Sequence, residues 1–119
     1  MEKLVDDTIK SIIDYLPKVV VSCDNIATLF YQENEEEALE IWSLMLEGIE
    51  WITQAFHNIE KLGFSLAINS GELNPYLLEI ETALETRDLI LAADLIKFEI
   101  KPILASWLEK VTKYKVPKL

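Results

Sequence analysis

The sequence predicts an all-α fold: a four-helix up-and-down bundle with two long N-terminal helices, a short third helix and a long, kinked fourth. The main observation is an apolar repeat that alternates three and four residues, the spacing that keeps one side of an α-helix facing a neighbour. In the first predicted helix, residues 3–32, the repeat is Val5, Ile9, Ile12, Leu16, Val19, Cys23, Ile26 and Phe30. In the second, residues 35–62, it is Ala38, Ile41, Met45, Gly48, Ile52, Ala55, Ile59 and Leu62.

Length and composition favour one domain, residues 1–119, with its own apolar core. Half of the residues are hydrophobic and 27% are charged, a balance typical of globular proteins and unlike that of disordered or membrane proteins. The chain lacks the run of about 18 apolar residues that a membrane span needs, and its first residues do not resemble a secretory signal. We therefore expect a cytoplasmic protein without membrane contact.

Two prolines qualify the predicted helices. Pro17 lies inside the first apolar repeat, which continues through it without a change of phase, so the sequence favours one kinked helix. The alternative is a break at Tyr15 and Leu16, with Pro17 opening a new helix. Pro102 lies inside the fourth helix and predicts a kink near Phe98 and Glu99.

Capping residues set the predicted helix ends. Asn34 and Glu37 have the spacing of a capping box at the start of the second helix, and Gly63 is suited to end it. Asn74 followed by Pro75 predicts the start of the third helix, whose inward residues are Leu77, Ile80 and Leu84. Asp88 is the predicted cap of the fourth helix, whose apolar stripe is Leu89, Ala92, Ile96, Ile100, Ile103, Trp107 and Val111.

The second helix has unusually little polar surface. Its polar residues form one narrow stripe, so several neighbours must cover it or part of it must serve association. Trp42 and Trp107 lie on predicted core stripes, whereas Trp51 falls outside the main stripe near Leu44. We predict that Leu44, Glu47 and Trp51 contact a partner, because exposed aromatic residues dominate binding energy. The alternative is that a neighbouring helix of the same bundle covers Trp51.

No residue pattern predicts a cofactor, a metal or a catalytic centre. Cys23 is the only cysteine and belongs to the apolar repeat, so we expect a buried thiol. His57 is the only histidine, lies on the polar stripe and follows Gln54, which excludes a diiron site built from paired Glu-x-x-His motifs. A nucleophile with an adjacent base is also missing. We therefore expect a protein that is not an enzyme.

One set of carboxylates supports an alternative enzymatic reading. The pairs Glu47 with Glu50 and Glu85 with Asp88 each have a spacing of three, which places two carboxylates on one side of a helix. Such pairs resemble the Mg²⁺-binding motifs of the all-helical MazG-type nucleotide pyrophosphohydrolases. The resemblance implies Mg²⁺ ions that bridge substrate phosphates.

The charge distribution argues against nucleic acid as a partner. Residues 1–60 carry 13 acidic and three basic side chains, whereas residues 61–119 carry eight of each. A chain with a net charge of −10 and one arginine repels a phosphate backbone. The basic segment 97–119 is expected to neutralise acidic residues within the fold or in a dimer.

Residues 84–104, from Leu84 through Arg87 and Asp88 to Pro102 and Leu104, resemble a segment of small helical bacterial proteins, some of which are encoded near flagellar genes. The resemblance implies a role like that of flagellar export chaperones, acidic helical bundles that shield the amphipathic helices of unassembled partners. It implies no catalytic residue.

Taken together, these observations predict a non-enzymatic interaction protein, a chaperone or adaptor that binds a partner's amphipathic helix or self-associates. Two alternatives stay open. One is the MazG-like pyrophosphohydrolase, and the other is a purely structural homodimer.

Overall fold

The computed structural model describes residues 2–114 and has the predicted fold, a four-helix up-and-down bundle measuring 53 × 23 × 19 Å, with no strand among those residues. The first three helices are α1 (Glu2–Tyr31), α2 (Glu35–Lys61) and α3 (Asn74–Glu85). The fourth helix consists of α4 (Leu89–Leu95), a π-helical turn (Ile96–Ile100) and α5 (Lys101–Lys113), which follow one another without a break. No helix in this part of the chain is both long enough and apolar enough to cross a membrane.

The central helix is α1, which packs against α2 on one side and against the fourth helix on another. All eight residues of its predicted apolar repeat are buried, and Leu16, next to Pro17, and Cys23 are buried completely. The helix runs through Pro17 without interruption, so the prediction of one continuous helix is confirmed. The helix α2 packs chiefly against α1 alone and therefore lies at the edge of the bundle and not at its centre.

The turn between α1 and α2 differs from the predicted capping box. Glu33 adopts a left-handed conformation with φ of 60°, and the Asn34 N–H donates to the Leu29 carbonyl at 2.8 Å. This is the Schellman arrangement that closes α1. Because the Asn34 N–H is already satisfied, the Glu37 carboxylate instead accepts a hydrogen bond from the Asn34 side-chain amide at 3.0 Å. Asn34 does occupy the N-cap position, but its side chain caps no backbone N–H.

Gly63 ends α2 as predicted. Its φ of 93° lies in the left-handed region, and the Phe64 N–H donates back to the Ile59 carbonyl. The start of α3 is different from the prediction. A 3₁₀ helix (Ser70–Leu73) leads directly into α3, so Asn74 is itself helical, and it is Asn69 whose side chain accepts a hydrogen bond, from the Gly71 N–H at 3.1 Å.

The loop before α3 completes the lower half of the bundle, which is the half that contains the C-terminal ends of α2 and α5. Leu66, Ile68 and Leu73 are buried there, and the Lys110 ammonium donates to the Ala67 carbonyl. Since α3 has only 12 residues, it spans only the other half of the bundle, the upper half. The fourth side of the bundle is therefore formed partly by the short helix α3 and partly by the loop before it.

The π-helical turn lies where the sequence predicts a kink. Pro102 has no N–H to donate to the Phe98 carbonyl, four residues earlier, and its ring crowds that carbonyl. Widening the preceding turn relieves this conflict, and single π-helical turns are a common form of such an irregularity. The core continues through the turn, since Ile96 and Ile100 within it and Leu104 after it are buried. Asp88 caps α4 as predicted, accepting from the Leu91 N–H at 3.1 Å.

Polar contacts join the acidic first half to the fourth helix and to the turn before it. The Lys101 ammonium lies 2.7 Å from Asp24, the Arg87 guanidinium lies 2.6 Å from Glu35, and the Tyr31 hydroxyl donates to Asp94. The Lys101–Asp24 pair is a neutralising contact of the kind expected from segment 97–119, whereas Arg87 lies outside that segment. Lys115 and Lys118 of the basic segment lie outside the described residues.

Gly48 allows α1 and α2 to approach closely. A Cβ added at Gly48 would lie 2.9 Å from Cζ and 3.0 Å from Cε2 of Tyr15, and closer still to the hydroxyl oxygen. Such distances are shorter than van der Waals contact. Glycine at this position is therefore required by the Tyr15 ring and not by the helix backbone.

We expect Gly48→Ala to destabilise the protein by about 1 kcal/mol in urea unfolding. Overpacking against Tyr15 costs about 1–3 kcal/mol, and the higher helix propensity of alanine offsets about 1 kcal/mol. In a Tyr15→Ala background the same substitution should stabilise the protein, because only the propensity gain remains. Equal effects of Gly48→Ala in the two backgrounds would contradict this account.

Candidate functional site

An open cleft with a volume of about 500 Å³ lies between α2 and α3. That volume lies within the range of ligand-binding clefts. Its floor and walls are apolar and its edges are carboxylates. The lining residues are Glu35, Leu39, Trp42 and Leu46 from α2, and Leu77, Glu81, Leu84 and Glu85 from α3.

The cleft is open because the two helices that form its walls pack against other helices and not against each other. The helix α2 packs chiefly against α1, and α3 packs chiefly against α4. On α2, Leu39, Trp42 and Leu46 follow the spacing of three and four that aligns them along one side of the helix. Leu39 and Leu46 are partly exposed, and Trp42 retains 6% exposure at the floor. From Glu35 to Leu46 the wall is about 16 Å long at the rise of an α-helix.

The rim of the cleft is acidic. Glu81 and Glu85 stand on the α3 side at a spacing of four, and both are exposed. Among residues 2–114, neither of them forms a salt bridge. Glu35, at the upper end, is paired with Arg87. The rim therefore carries negative charge that no basic side chain of the described chain balances at Glu81 and Glu85.

The predicted contact residues lie on the other side of α2, next to α1. Leu44 is 61% exposed and Trp51 is 46% exposed, so the alternative in which the bundle covers Trp51 does not hold. The Trp51 ring meets Tyr15 edge to face at 6.0 Å, which covers only part of it. Glu47 is exposed between them in sequence. Their contact with a partner stays a prediction.

This face is shallower than the cleft. A groove of about 280 Å³ lies beside Trp51 and includes Leu4 and Leu62, and a smaller one of about 180 Å³ lies beside Leu44 and Tyr15. The helix α2 thus has two apolar sides that residues 2–114 leave uncovered. One side carries Leu44 and Trp51, and the other carries Leu39 and Leu46.

The sequence interpretation missed the cleft. It placed Trp42 on a core stripe of α2 and placed Leu77 and Leu84 inward on α3. In the structure Ile80 and Ala83 are the buried residues of α3, whereas Leu77 and Leu84 are only partly buried and line the cleft. The available signal was the excess of apolar surface on α2, but the position of α3 around the bundle, which opens the cleft, depends on tertiary packing.

The four carboxylates of the alternative enzymatic reading are not brought together. Glu85 lines the cleft, Glu47 lies on the exposed side of α2, and the Asp88 carboxylate caps α4. Among the described residues no group of three or more His, Cys, Asp or Glu side chains is placed to hold a metal ion. The geometry therefore gives no support to Mg²⁺ binding by Glu47, Glu50, Glu85 and Asp88.

Two other candidate groups are placed as the sequence predicts. His57 is exposed on α2, and Cys23 is completely buried, with its thiol 3.9 Å from the Met45 sulfur. Burial raises the pKa of the Cys23 thiol to about 12, and the nearby Asp24 charge acts in the same direction. At neutral pH this side chain is therefore a protonated thiol that packs in the core.

The fold and the cleft together define an all-helical bundle with an open, acidic-rimmed apolar cleft. A family model described as a domain of unknown function, DUF8042, matches residues 7–110, and the chain belongs to that family. No curated protein and no solved structure matches the chain.

Proposed function

We propose that the protein is a non-enzymatic interaction module that holds an amphipathic helix of a partner protein in the cleft between α2 and α3. The observation that carries this proposal is the row of partly exposed apolar residues on facing walls, Leu39 and Leu46 against Leu77 and Leu84. Apolar side chains presented at helical spacing are the feature that helix-in-groove recognition uses.

The shape of the cleft supports a helix as the occupant. Two helices flank an open trough about 16 Å long, which matches about three turns of a third helix laid between them. A partner helix would also replace the missing contact between α2 and α3 and complete the packing of both walls. Trp42 at the floor provides the large buried aromatic surface that is typical of binding hot spots.

The face with Leu44, Glu47 and Trp51 is part of the proposal as a second contact surface, through which the protein self-associates. Its support is the exposure of two large apolar residues seven positions apart on one side of α2. From the sequence, we also propose a chaperone role like that of flagellar export chaperones and a cytoplasmic location.

Affinity capture from the native host tests the cleft. Wild-type protein should retain a partner that Leu46→Glu loses by at least tenfold, because the substitution places an uncompensated carboxylate in the apolar contact. Leu44→Glu is the matched control, since it makes the same change two residues away on the opposite side of α2. Thermal unfolding of both variants checks that each is folded.

The pattern of loss identifies the surface. Loss with Leu46→Glu alone supports the cleft. Loss with Leu44→Glu or Trp51→Ala alone would assign partner binding to the other side of α2 and contradict the cleft. Light scattering of wild type and Trp51→Ala tests self-association separately. If Trp51→Ala leaves both the molecular mass and the captured partner unchanged, Leu44, Glu47 and Trp51 are not contact residues.

A further inference from the structure

We infer that the occupant of the cleft is a basic amphipathic helix from another protein, with apolar residues at a spacing of three and four and lysine or arginine on either side of them. This inference rests on the proposed function and names the chemistry of the partner. It follows from which polar groups surround the cleft and how their charges are balanced.

The first step is the composition of the lining. The eight lining residues are four leucines, one tryptophan and three glutamates. Among residues 2–114, the side-chain groups that line the rim and can bind a polar ligand are carboxylates. Ionised carboxylates accept hydrogen bonds without donating any. An occupant must therefore present apolar surface to the floor and hydrogen-bond donors, preferably cationic, to the rim.

The second step is the spacing of the charges. Glu81 and Glu85 lie four residues apart on one side of α3, so they form a row along the cleft. Leu77 and Leu84, seven apart, run parallel to that row on the wall below. An amphipathic helix has the same arrangement, with charged residues beside an apolar stripe. Lysine or arginine beside the stripe would meet Glu81 and Glu85.

The third step is the surrounding charge. Glu35 closes the upper end of the cleft together with Arg87, so one basic side chain of this chain already occupies an acidic site at the rim. The chain as a whole has a net charge of −10 and carries 13 acidic residues within its first 60. This field attracts a basic segment and repels an acidic one, which raises the rate of association with the correct partner.

Three synthetic peptides of about 18 residues, long enough to form a helix on the cleft, test the inference with the full-length protein. They share one leucine stripe and differ only in the residues beside it, which are lysine, glutamine or glutamate. Isothermal titration gives the affinities, and amide chemical shifts locate the site. We expect the lysine peptide to bind at least tenfold more tightly than the glutamine peptide at low salt, with shifts at residues 39–46 and 77–84.

Substitutions on the rim provide the second measurement. Glu81→Gln with Glu85→Gln should weaken binding of the lysine peptide several-fold and leave the glutamine peptide unaffected. The matched control is Glu36→Gln with Glu40→Gln, which removes two charges at the same spacing from α2 outside the cleft. It should lower the logarithm of the affinity by less than half as much. These four glutamates are all exposed, so both double variants are expected to fold.

The outcomes separate this inference from the proposed function. Equal binding of the lysine and glutamine peptides in the cleft overturns the basic partner and leaves helix binding in place. Equal weakening by the two double variants also overturns it, because net charge alone then explains the preference. Failure of every peptide to shift the cleft residues overturns both. A concentration-dependent dimer that the Glu81 and Glu85 substitutions dissociate would make a second copy of this chain the occupant and overturn the inference.

Discussion

Replacing Trp107 with alanine is expected to lower the free energy of unfolding by about 3–5 kcal/mol. Trp107 is completely buried in the lower half of the bundle, where its ring meets Phe56 of α2 edge to face at 5.5 Å. Its indole N–H donates to the Glu72 carboxylate at 3.1 Å, which also ties the 3₁₀ helix to α5. Truncation removes both contacts and leaves a cavity between the fourth helix, α2 and the loop.

Urea unfolding with two control variants checks this expectation. Trp107→Phe keeps an aromatic ring against Phe56 and loses the hydrogen bond to Glu72, so it should cost clearly less than alanine. Phe98→Ala removes an aromatic residue that is 60% exposed on the same helix and should change the free energy by no more than about 0.5 kcal/mol. A cost of Trp107→Ala similar to that of Phe98→Ala would contradict the central position of this ring in the core.

The second large effect is a loss of stability at alkaline pH that depends on Cys23. The pKa of its thiol is raised from an ordinary value of 9.0 to about 12 in the folded protein, because burial disfavours the thiolate. Above pH 9 the unfolded chain loses this proton while the folded chain keeps it. The free energy of unfolding should therefore fall by about 1.4 kcal/mol for each pH unit between about 9 and 12 and be independent of this group below pH 9.

Comparison with Cys23→Ala isolates the contribution of the thiol. Other groups titrate in the same range, among them Tyr31, whose pKa is raised by its hydrogen bond to Asp94, but they are common to both proteins. The wild type should be the more stable protein at pH 8 because alanine leaves a small cavity, and its advantage should shrink as the pH rises above 9. Stability curves that stay parallel from pH 8 to 11 would show that Cys23 does not titrate in this way.

The local patterns of the sequence predicted the helices well. All eight residues of the repeat in α1 are buried because a helix with neighbours on several sides buries its whole apolar stripe. The irregular turn before Pro102 was also predictable, since the missing N–H and the ring of proline act on the preceding turn whatever the tertiary structure. The cap at Asp88 was predictable because an aspartate before an apolar run is a strong N-cap, and its carboxylate accepts from the Leu91 N–H.

The errors at helix ends have a different origin. Asn34 and Asn74 both match the pattern of an N-cap, yet Asn34 N–H is taken by the preceding helix and Asn74 follows a 3₁₀ helix without a break. In both cases the segment that precedes the asparagine forms hydrogen bonds that replace part of the predicted cap. A local motif does not reveal this competition, because it describes only one of the two segments.

The candidate site depended on tertiary structure even more. The sequence indicates that α2 is apolar over most of its surface, but which neighbour covers which side depends on where α3 lies around the bundle. Because α3 packs against α4, Leu39 and Leu46 face an open cleft, whereas Leu44 and Trp51 remain exposed beside α1. The excess of apolar surface on α2 was predictable, and the division of that surface between two sides was not.

The two walls of the cleft belong to separate helical hairpins, α1 with α2 and α3 with α4. In the described part of the chain no backbone hydrogen bond links the α2 wall to the α3 wall, and the Glu35–Arg87 ion pair fastens their upper ends. The two hairpins are joined instead by the packing of α1 against the fourth helix and by the contacts of Lys101 with Asp24 and of Tyr31 with Asp94. The exposed Glu35–Arg87 pair is worth at most about 1 kcal/mol, so the width of the cleft is set mainly on the far side of the molecule, where α1 packs against the fourth helix.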